Sequence, residues 1–255
     1  MVRSARGLLG LRWFRLPSSL VMPDTTVLRT LRTATSSNAF VRSAILLLLI
    51  VGGAFSQPSQ PRSEEDRAGD LKKRVVETLH LRPGDTAADV GCGDGFYTIP
   101  LARFLGPSGK VYAEDISDTE LFKLKQRLGE EGLQNVEVIK GTVDDPKLPM
   151  GRLDAALIVN AYHEMTEHEA MLRHTLAALK PGGTFVLMEG IWDTLEAQSR
   201  DEQIKHHQLA SKVAKQEVET AGFEIVELRD PFIERPSDKD GKSRWWVLIG
   251  RKPVP

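Results

Sequence analysis

From residue 64 onward, apolar positions follow two alternating periods. Leu71, Val75, Val76 and Leu79 recur at helical spacing among charges, so the spacing predicts an amphipathic helix over 66–80. Arg82-Pro83-Gly84-Asp85 then ends it in a turn. The short run Thr86-Ala87-Ala88-Asp89-Val90 predicts a buried strand that leads into glycines. A helix follows over 96–105, with Pro100 in its first turn, where a missing amide donor costs little. The pattern continues as strand 110–115, helix 119–130, strand 136–140 and strand 153–159. The last of these is apolar throughout, as expected when both faces of a sheet are covered.

A helix over 168–179 is closed by Lys180-Pro181-Gly182-Gly183, and strand 184–189 comes next. The reading then gives one helix over 201–221, closed by Ala221-Gly222, and two strands at 223–229 and 244–251. Only a polar loop, 230–243, separates these strands. Strands alternating with helices demand parallel pairing through right-handed crossovers. The expected fold class is therefore α/β: a doubly wound, mostly parallel, seven-stranded sheet ending in an antiparallel hairpin at one edge.

Residues 1–63 show no such pattern. Ala44 to Phe55 is an unbroken apolar and glycine stretch of twelve, too short for the ~20 residues that span a bilayer as a helix. With Arg42 before it and Ala54-Phe55-Ser56 at its end, it matches a secretory signal or signal anchor. The Arg-rich, acid-poor leader equally suits mitochondrial targeting, or a start codon assigned too early. The expectation is a targeting leader and linker over 1–63, membrane association through 44–55 or export, with mitochondrial import as the alternative. Folding begins at residue 64 in every version.

Charge sharpens this division. Residues 1–63 hold eight arginines and one acid, Asp24, so a net charge of -1 for all 255 residues leaves the remainder strongly acidic. An acidic domain is a poor magnet for phosphate backbones, so nucleic acid is not expected as a partner. One cysteine, Cys92, excludes an internal disulfide and a cysteine-based zinc cluster. No His/Asp cluster is visible along the chain, and no metal is expected.

The strongest local signal is Asp89-Val90-Gly91-Cys92-Gly93-Asp94-Gly95 at a strand-to-helix turn. Glycines there let a ligand approach the backbone, and the following helix start offers free amides. Twenty residues further on, Asp115 at the tip of the second strand suits two ribose hydroxyls, which suggests an adenosine-containing ligand. Glu114 is a rival, and strand alternation predicts that only one of the two faces the ligand. The dinucleotide pattern GxGxxG fails at its third glycine, where this chain has Phe96. Asp89, two residues before the first glycine, suits a cationic amino group better than a pyrophosphate.

DVGCGDG at 89–95, VYAEDIS at 111–117, LDAALIVNAYHEM at 153–165 and LKPGG at 179–183 together resemble the class I S-adenosylmethionine-dependent methyltransferases, in particular the ubiquinone/menaquinone type. The resemblance covers about 70–252 and implies a Rossmann-like methyltransferase fold with S-adenosylmethionine as cofactor. It assigns Asp89, Gly91, Cys92, Gly93 and Gly95 to the methionine portion, Asp115 to the ribose and Ile116 to the adenine face. The family usually has an acid after the third-strand glycine, whereas Gly141 here is followed by Thr142. The adenine contact is thus left to Thr142, Val143 or Asp144, and Asn160 after the fourth strand completes the expected cofactor set.

Methyl transfer needs the acceptor held close to the methyl group, and a base only where the nucleophile must lose a proton. The expected place is Asn160-Ala161-Tyr162-His163-Glu164, past the fourth strand. His163 is the candidate base, Tyr162 a candidate to orient an acceptor, and Glu164 a candidate to orient His163. A histidine satisfied by backbone is the structural alternative. His206 and His207 are candidates to roof the same pocket or to lie on a solvated helix face. Of Trp245 and Trp246, one is expected in the core and the other as edge cover. The chain lacks an Asn/Asp-Pro-Pro-Tyr/Phe turn and any second thiol, which disfavours adenine or glutamine-amide, pyrimidine carbon-5 and arsenite acceptors. A small-molecule acceptor with oxygen, nitrogen or carbon as nucleophile remains. The rival readings are a catalytically silent assembly protein on the same fold and, more distantly, a nicotinamide-dependent oxidoreductase. Oligomeric state is not legible.

Overall fold

The computed structural model describes residues 64–234 and 242–255. The expected leader, apolar stretch and linker over 1–63 lie outside the described residues. Among the described residues no helix is long and apolar enough to cross a membrane.

The chain begins with α1 (Glu64–Thr78), β1 (Thr86–Val90), α2 (Thr98–Leu105), β2 (Lys110–Asp115), α3 (Asp118–Glu130), β3 (Val136–Lys140) and β4 (Leu153–Val159). A single 3₁₀ turn, Tyr162–Glu164, precedes α4 (His168–Ala178) and β5 (Leu179–Trp192). Helices α5 (Arg200–Lys205) and α6 (Ser211–Thr220) lead to β6 (Glu224–Glu234) and β7 (Ser243–Arg251). The seven strands lie in the order β3-β2-β1-β4-β5-β7-β6. Strands β1 to β5 pair in parallel, while β7 runs antiparallel to both β5 and β6. The α/β, mostly parallel sheet with an antiparallel end is therefore as expected, with β7 inside and β6 on the edge.

Alternation along the strands separates two cores. Ala88, Val90, Ala156, Ile158, Phe185 and Leu187 pack with Leu172 of α4 and Val218 of α6. Their neighbours Ala87, Ala155, Leu157 and Val186 pack on the opposite face with Val76 of α1 and Leu101 of α2. Both faces are thus dry, which explains why β4 reads as a continuous apolar run. Strand order reverses between β1 and β4, and ligands of open α/β sheets bind in the crevice at such a switch point.

Three expectations need correction. The helix over 201–221 is two helices, and buried Gln203 ties the turn before the first to the amide just before the second. Its Nε2 donates to the carbonyls of Leu195, Glu196 and Gln198 at 3.2, 3.3 and 3.0 Å, and its Oε1 accepts from the amide of Ala210 at 2.8 Å. His207, at φ 54°, turns the chain out of the helix there. Secondly, Lys180-Pro181-Gly182-Gly183 is not only a turn but the start of β5. Gly182 donates to the carbonyl of Lys252, and Lys252 donates to that of Gly183, both at 2.9 Å. Finally, β6 continues through Pro231 to Glu234, so the expected loop at 230–243 is shorter. Pro231 has no amide to donate and sits where the pairing of the edge strand is irregular, between Arg229 and Ile233.

Candidate functional site

The turns after β1, β2, β3 and β4 converge at the switch point. The glycine turn is held down on β2: the Cys92 amide donates to the carbonyl of Glu114 at 2.8 Å, and the Gly93 amide to Asp115 Oδ2 at 2.9 Å. Asp115 Oδ1 also accepts from the amide of Ser117 at 2.7 Å. Ser117 caps α3 by accepting from the Glu120 amide, so the same acid ties the loop to a capped helix start. Gly91 has φ +70°, and a Cβ on it would lie 2.6 Å from that of Ala161. Only glycine lets the turns after β1 and β4 approach this closely.

Two cavities meet at Gly91. The first, of about 250 Å³, is walled by Glu114, Asp115, Ile116, Thr142, Val143 and Glu164, with Ala161 and Met165. The second, of about 350 Å³, is walled by Asp89, Cys92, Gly93, Asp94, Phe96 and Asn160, with Tyr97 and Trp245. The second alone reaches the lower end of the range of small-ligand sites, about 300–1,000 Å³. A larger groove of about 1060 Å³ lies at the opposite ends of β2 and β3, around Gly106–Lys110 and Gly132–Glu137. It is far from the carboxyl edge where open α/β sheets bind ligands.

Five acids and no lysine, arginine or histidine stand on the two cavity walls. Three of the acids are crowded. Burial pushes the Asp89 carboxyl up to about 6 against the pull of the Thr98 hydroxyl, which donates to it at 2.6 Å; the Asp115 charge adds to the rise. Burial likewise pushes Glu114 up to about 8, with the Gly91 amide opposing and the Asp115 and Asp89 charges adding. Glu114 Oε1 is buried and has no hydrogen-bond partner. Burial, followed by the charges of Asp89, Asp115 and Glu114, also keeps the Cys92 thiol protonated, so it is no nucleophile. This is a site prepared for a cation or for hydrogen-bond donors. A diphosphate would meet like charge here. Two cations stand beside the second wall: Arg127 Nη1 lies 3.0 Å from Asp94 Oδ2, and the Lys72 ammonium lies 4.0 Å from the ring centroid of Phe96.

The expected cofactor residues are brought together: Asp89, Gly91, Cys92, Gly93, Asp115, Ile116, Thr142, Val143 and Asn160 all line one cavity or the other. Gly95 does not; at φ +91°, a Cβ on it would lie 2.5 Å from Leu124 Cδ1, so it seats α3 against the loop. Asp144 is not on the wall, which leaves Thr142 and Val143 beside the first cavity. Glu114 and Asp115 both line it, contrary to the alternation argument, because β2 ends at Asp115 and the pleat no longer sets the next side chain apart.

Tyr162 is a correction. It is fully buried, and its hydroxyl donates to Glu217 at 2.9 Å, beside Arg200 on the same carboxylate. It is a core residue that lines neither cavity, and its hydroxyl is committed to Glu217 rather than to an acceptor. His163 is also absent from both walls. Its main-chain amide donates to Glu189 Oε1 at 3.2 Å, and its Nδ1 lies 2.9 Å from Glu189 Oε2. Burial alone would lower its pKa, but the hydrogen bond and charge of Glu189, with Glu164, outweigh this and raise it. Its Nε2 is 3.6 Å from Glu164 Oε1. His207 approaches from the corner after α5, with Nδ1 3.5 Å from the same oxygen, while His206 lies against Glu202 on its own helix. Sequence reasoning missed Glu189, Lys72 and the cavity position of Trp245. An acid inside the apolar strand Phe185–Trp192 was the one available signal for Glu189, since buried carboxylates need partners.

The switch-point crevice, the carboxyl-edge loops and the acidic nucleoside-sized site define a Rossmann-like methyltransferase fold. Residues 87–183 match a family model described as a methyltransferase domain. This part of the chain is similar to methyltransferase domains, and the fold is that of S-adenosylmethionine-dependent methyltransferases. It is 32% identical over 124 residues, 49% of this chain and 53% of the relative, to demethylmenaquinone methyltransferase of Geobacillus stearothermophilus. The chain thus spans about half the length of the curated relatives it matches. Among solved structures, a SAM-dependent methyltransferase from Aquifex aeolicus superposes with a TM-score of 0.57 at 20% identity, covering 75% of this chain and 100% of that one. The [4+2]-cyclase SpnF superposes with a TM-score of 0.63 at 20% identity, covering 83% and 93%. These structural likenesses establish the fold.

Proposed function

We propose that this chain transfers a methyl group from S-adenosylmethionine to a small-molecule acceptor by in-line displacement. The observation that carries the reading is the pair of cavities on either side of Gly91, whose walls hold five acids and no basic side chain. A sulfonium and an ammonium suit that field, whereas a redox dinucleotide would bring two phosphates into it. The motifs over 87–183 and the likeness to a demethylmenaquinone methyltransferase support the same reading.

In this assignment Asp89 receives the amino group, and Asp115 and the unpartnered oxygen of Glu114 take the ribose hydroxyls. Ile116 and Val143 cover the adenine, Thr142 and Asn160 border it and the methionine portion, and Lys72 lies close enough to Phe96 to meet the carboxylate. Bound there, the cofactor supplies an electrophilic methyl on a positively charged sulfur. The protein's part is to orient the two reactants and exclude water, which is worth up to about 7–11 kcal/mol in such reactions. Membrane association through 44–55 or import into mitochondria remains part of the proposal for the leader.

Calorimetric titration of the full chain with S-adenosylhomocysteine tests the reading, with NADH as the comparison. Saturable one-to-one binding of the first and none of the second is expected. The converse result, or no binding of S-adenosylhomocysteine at millimolar concentration, overturns it. Binding without methyl release across a broad acceptor panel would return the chain to an assembly role.

A further inference from the structure

We propose that His163, Glu164 and His207 bind one divalent transition-metal ion of the zinc type, with Glu189 fixing His163 for that task. The three residues come from the 3₁₀ turn after β4 and from the corner between α5 and α6, and one donor atom from each lies within 4.8 Å of the others. His163 Nε2 and His207 Nδ1 stand 3.6 and 3.5 Å from the same Glu164 oxygen. Ligand atoms bound at about 2.0–2.2 Å in a tetrahedron are separated by about 3.3–3.6 Å, so two of the three edges already match. The side chain of His207 is largely exposed and free to close the third.

The surroundings support the same conclusion. His163 is committed through Nδ1 to Glu189, which leaves Nε2 as the lone-pair nitrogen and turns it toward Glu164. A carboxylate holding the far nitrogen of a ligating imidazole is the usual outer partner of a metal-bound histidine. Glu189 is completely buried, and it and Glu164 flank one imidazole. A doubly charged cation would balance both carboxylates. Two imidazoles and one carboxylate favour zinc-like ions over calcium or magnesium, and three protein ligands leave a coordination position open for water or an oxygen-bearing molecule. Glu164 also belongs to the wall of the first cavity, so the open position adjoins the place assigned to methyl transfer. That last link rests on the methyltransferase reading; the metal site itself does not.

The test is calorimetric titration of the untagged full chain, stripped by chelator, with Zn²⁺, and visible absorption after adding Co²⁺. One ion per chain is expected, with cobalt d–d bands in the wild type. His207→Ala should weaken binding at least tenfold and abolish those bands, and Glu189→Gln should weaken it about 10–100-fold. His206→Ala, whose ring lies against Glu202, should bind as the wild type does. Thermal melts of each metal-free variant identify any loss caused by misfolding, and His207→Ala removes an exposed side chain. Absence of saturable one-to-one uptake overturns the site. Uptake unchanged in His207→Ala, or lost equally in His206→Ala, overturns it as well. S-adenosylhomocysteine bound without zinc uptake removes the metal site and leaves the methyltransferase reading standing; zinc uptake without S-adenosylhomocysteine binding does the reverse.

Discussion

Glu114 and Gly141 occupy one space between them: a Cβ on residue 141 would overlap the carboxyl oxygen Oε1 of Glu114. The glycine after β3, where the resembling family usually continues with an acid, thus makes room for an acid arriving from β2. Gly141→Ala should force the Glu114 side chain out of its place beside the Gly91 amide. Overpacking of this kind costs about 1–3 kcal/mol. The expected result is lower stability in urea and weaker S-adenosylhomocysteine binding. In a Glu114→Ala background the same Gly141→Ala change should cost far less. Equal costs in both backgrounds would disprove the steric coupling.

Asp89 makes cofactor affinity depend on pH. Its carboxyl, raised to about 6 by burial, must be ionised to attract an ammonium. Affinity for S-adenosylhomocysteine should therefore fall as the pH drops through about 6, by roughly tenfold from pH 7 to pH 5, a range below that near 8 in which Glu114 ionises. The stability effect has the opposite sense. The folded pKa lies above the unfolded one, so the relative stabilisation is complete below about 4 and is lost as pH rises through about 6. Asp89→Asn should thus bind the ligand poorly yet be more stable than wild type at pH 7. Calorimetric titration and urea melts across pH 4.5–8 measure the two effects.

Tyr162 separates a packing role from a catalytic one. Its hydroxyl donates to Glu217, which Arg200 also meets at 2.8 Å and His168 at 3.4 Å. Tyr162→Phe leaves the ring in the core and removes one hydrogen bond to a charged acceptor. About 1–2 kcal/mol of stability should be lost, with S-adenosylhomocysteine affinity and methyl-transfer rate unchanged at a temperature where the variant is folded. A rate loss of tenfold or more without change in stability would restore the tyrosine to the acceptor site.

Much of this fold was legible because its parallel strands are short apolar runs bounded by turn residues. β1, β2, β3 and β4 begin and end where the pattern places them, and the cavity residues Asp89, Gly91, Asp115 and Asn160 stand at the ends of those strands. What was not legible depends on partners distant in the chain. Glu189 and His163 are 26 residues apart and meet only because β4 and β5 are neighbours. His207 reaches Glu164 through a corner that local periodicity does not show. Tyr162 misled because its position after β4 is exposed to ligand in the expectation, while α6 supplies Glu217 and turns it inward.

That corner is itself a testable feature. Nothing in Gln203-Ile204-Lys205-His206-His207-Gln208 breaks a helix by composition, since neither glycine nor proline is present. From a completely buried position the Gln203 side chain ties the turn before α5, whose carbonyls at Leu195, Glu196 and Gln198 share its amide protons, to the Ala210 amide just before α6. Gln203→Leu keeps the volume but takes this partner from the Ala210 amide and from the Glu196 and Gln198 carbonyls, while the Leu195 carbonyl keeps the Gln198 amide. A buried unpaired polar group costs about 1–3 kcal/mol, so this variant should lose at least that much stability. The corner also carries His207, so loosening it should raise amide exchange over 204–210 while exchange in β1 and β4 stays slow. If Gln203→Leu melts like the wild type, with helical protection continuous from 200 to 220, local periodicity governs this segment and the side-chain account of the corner fails.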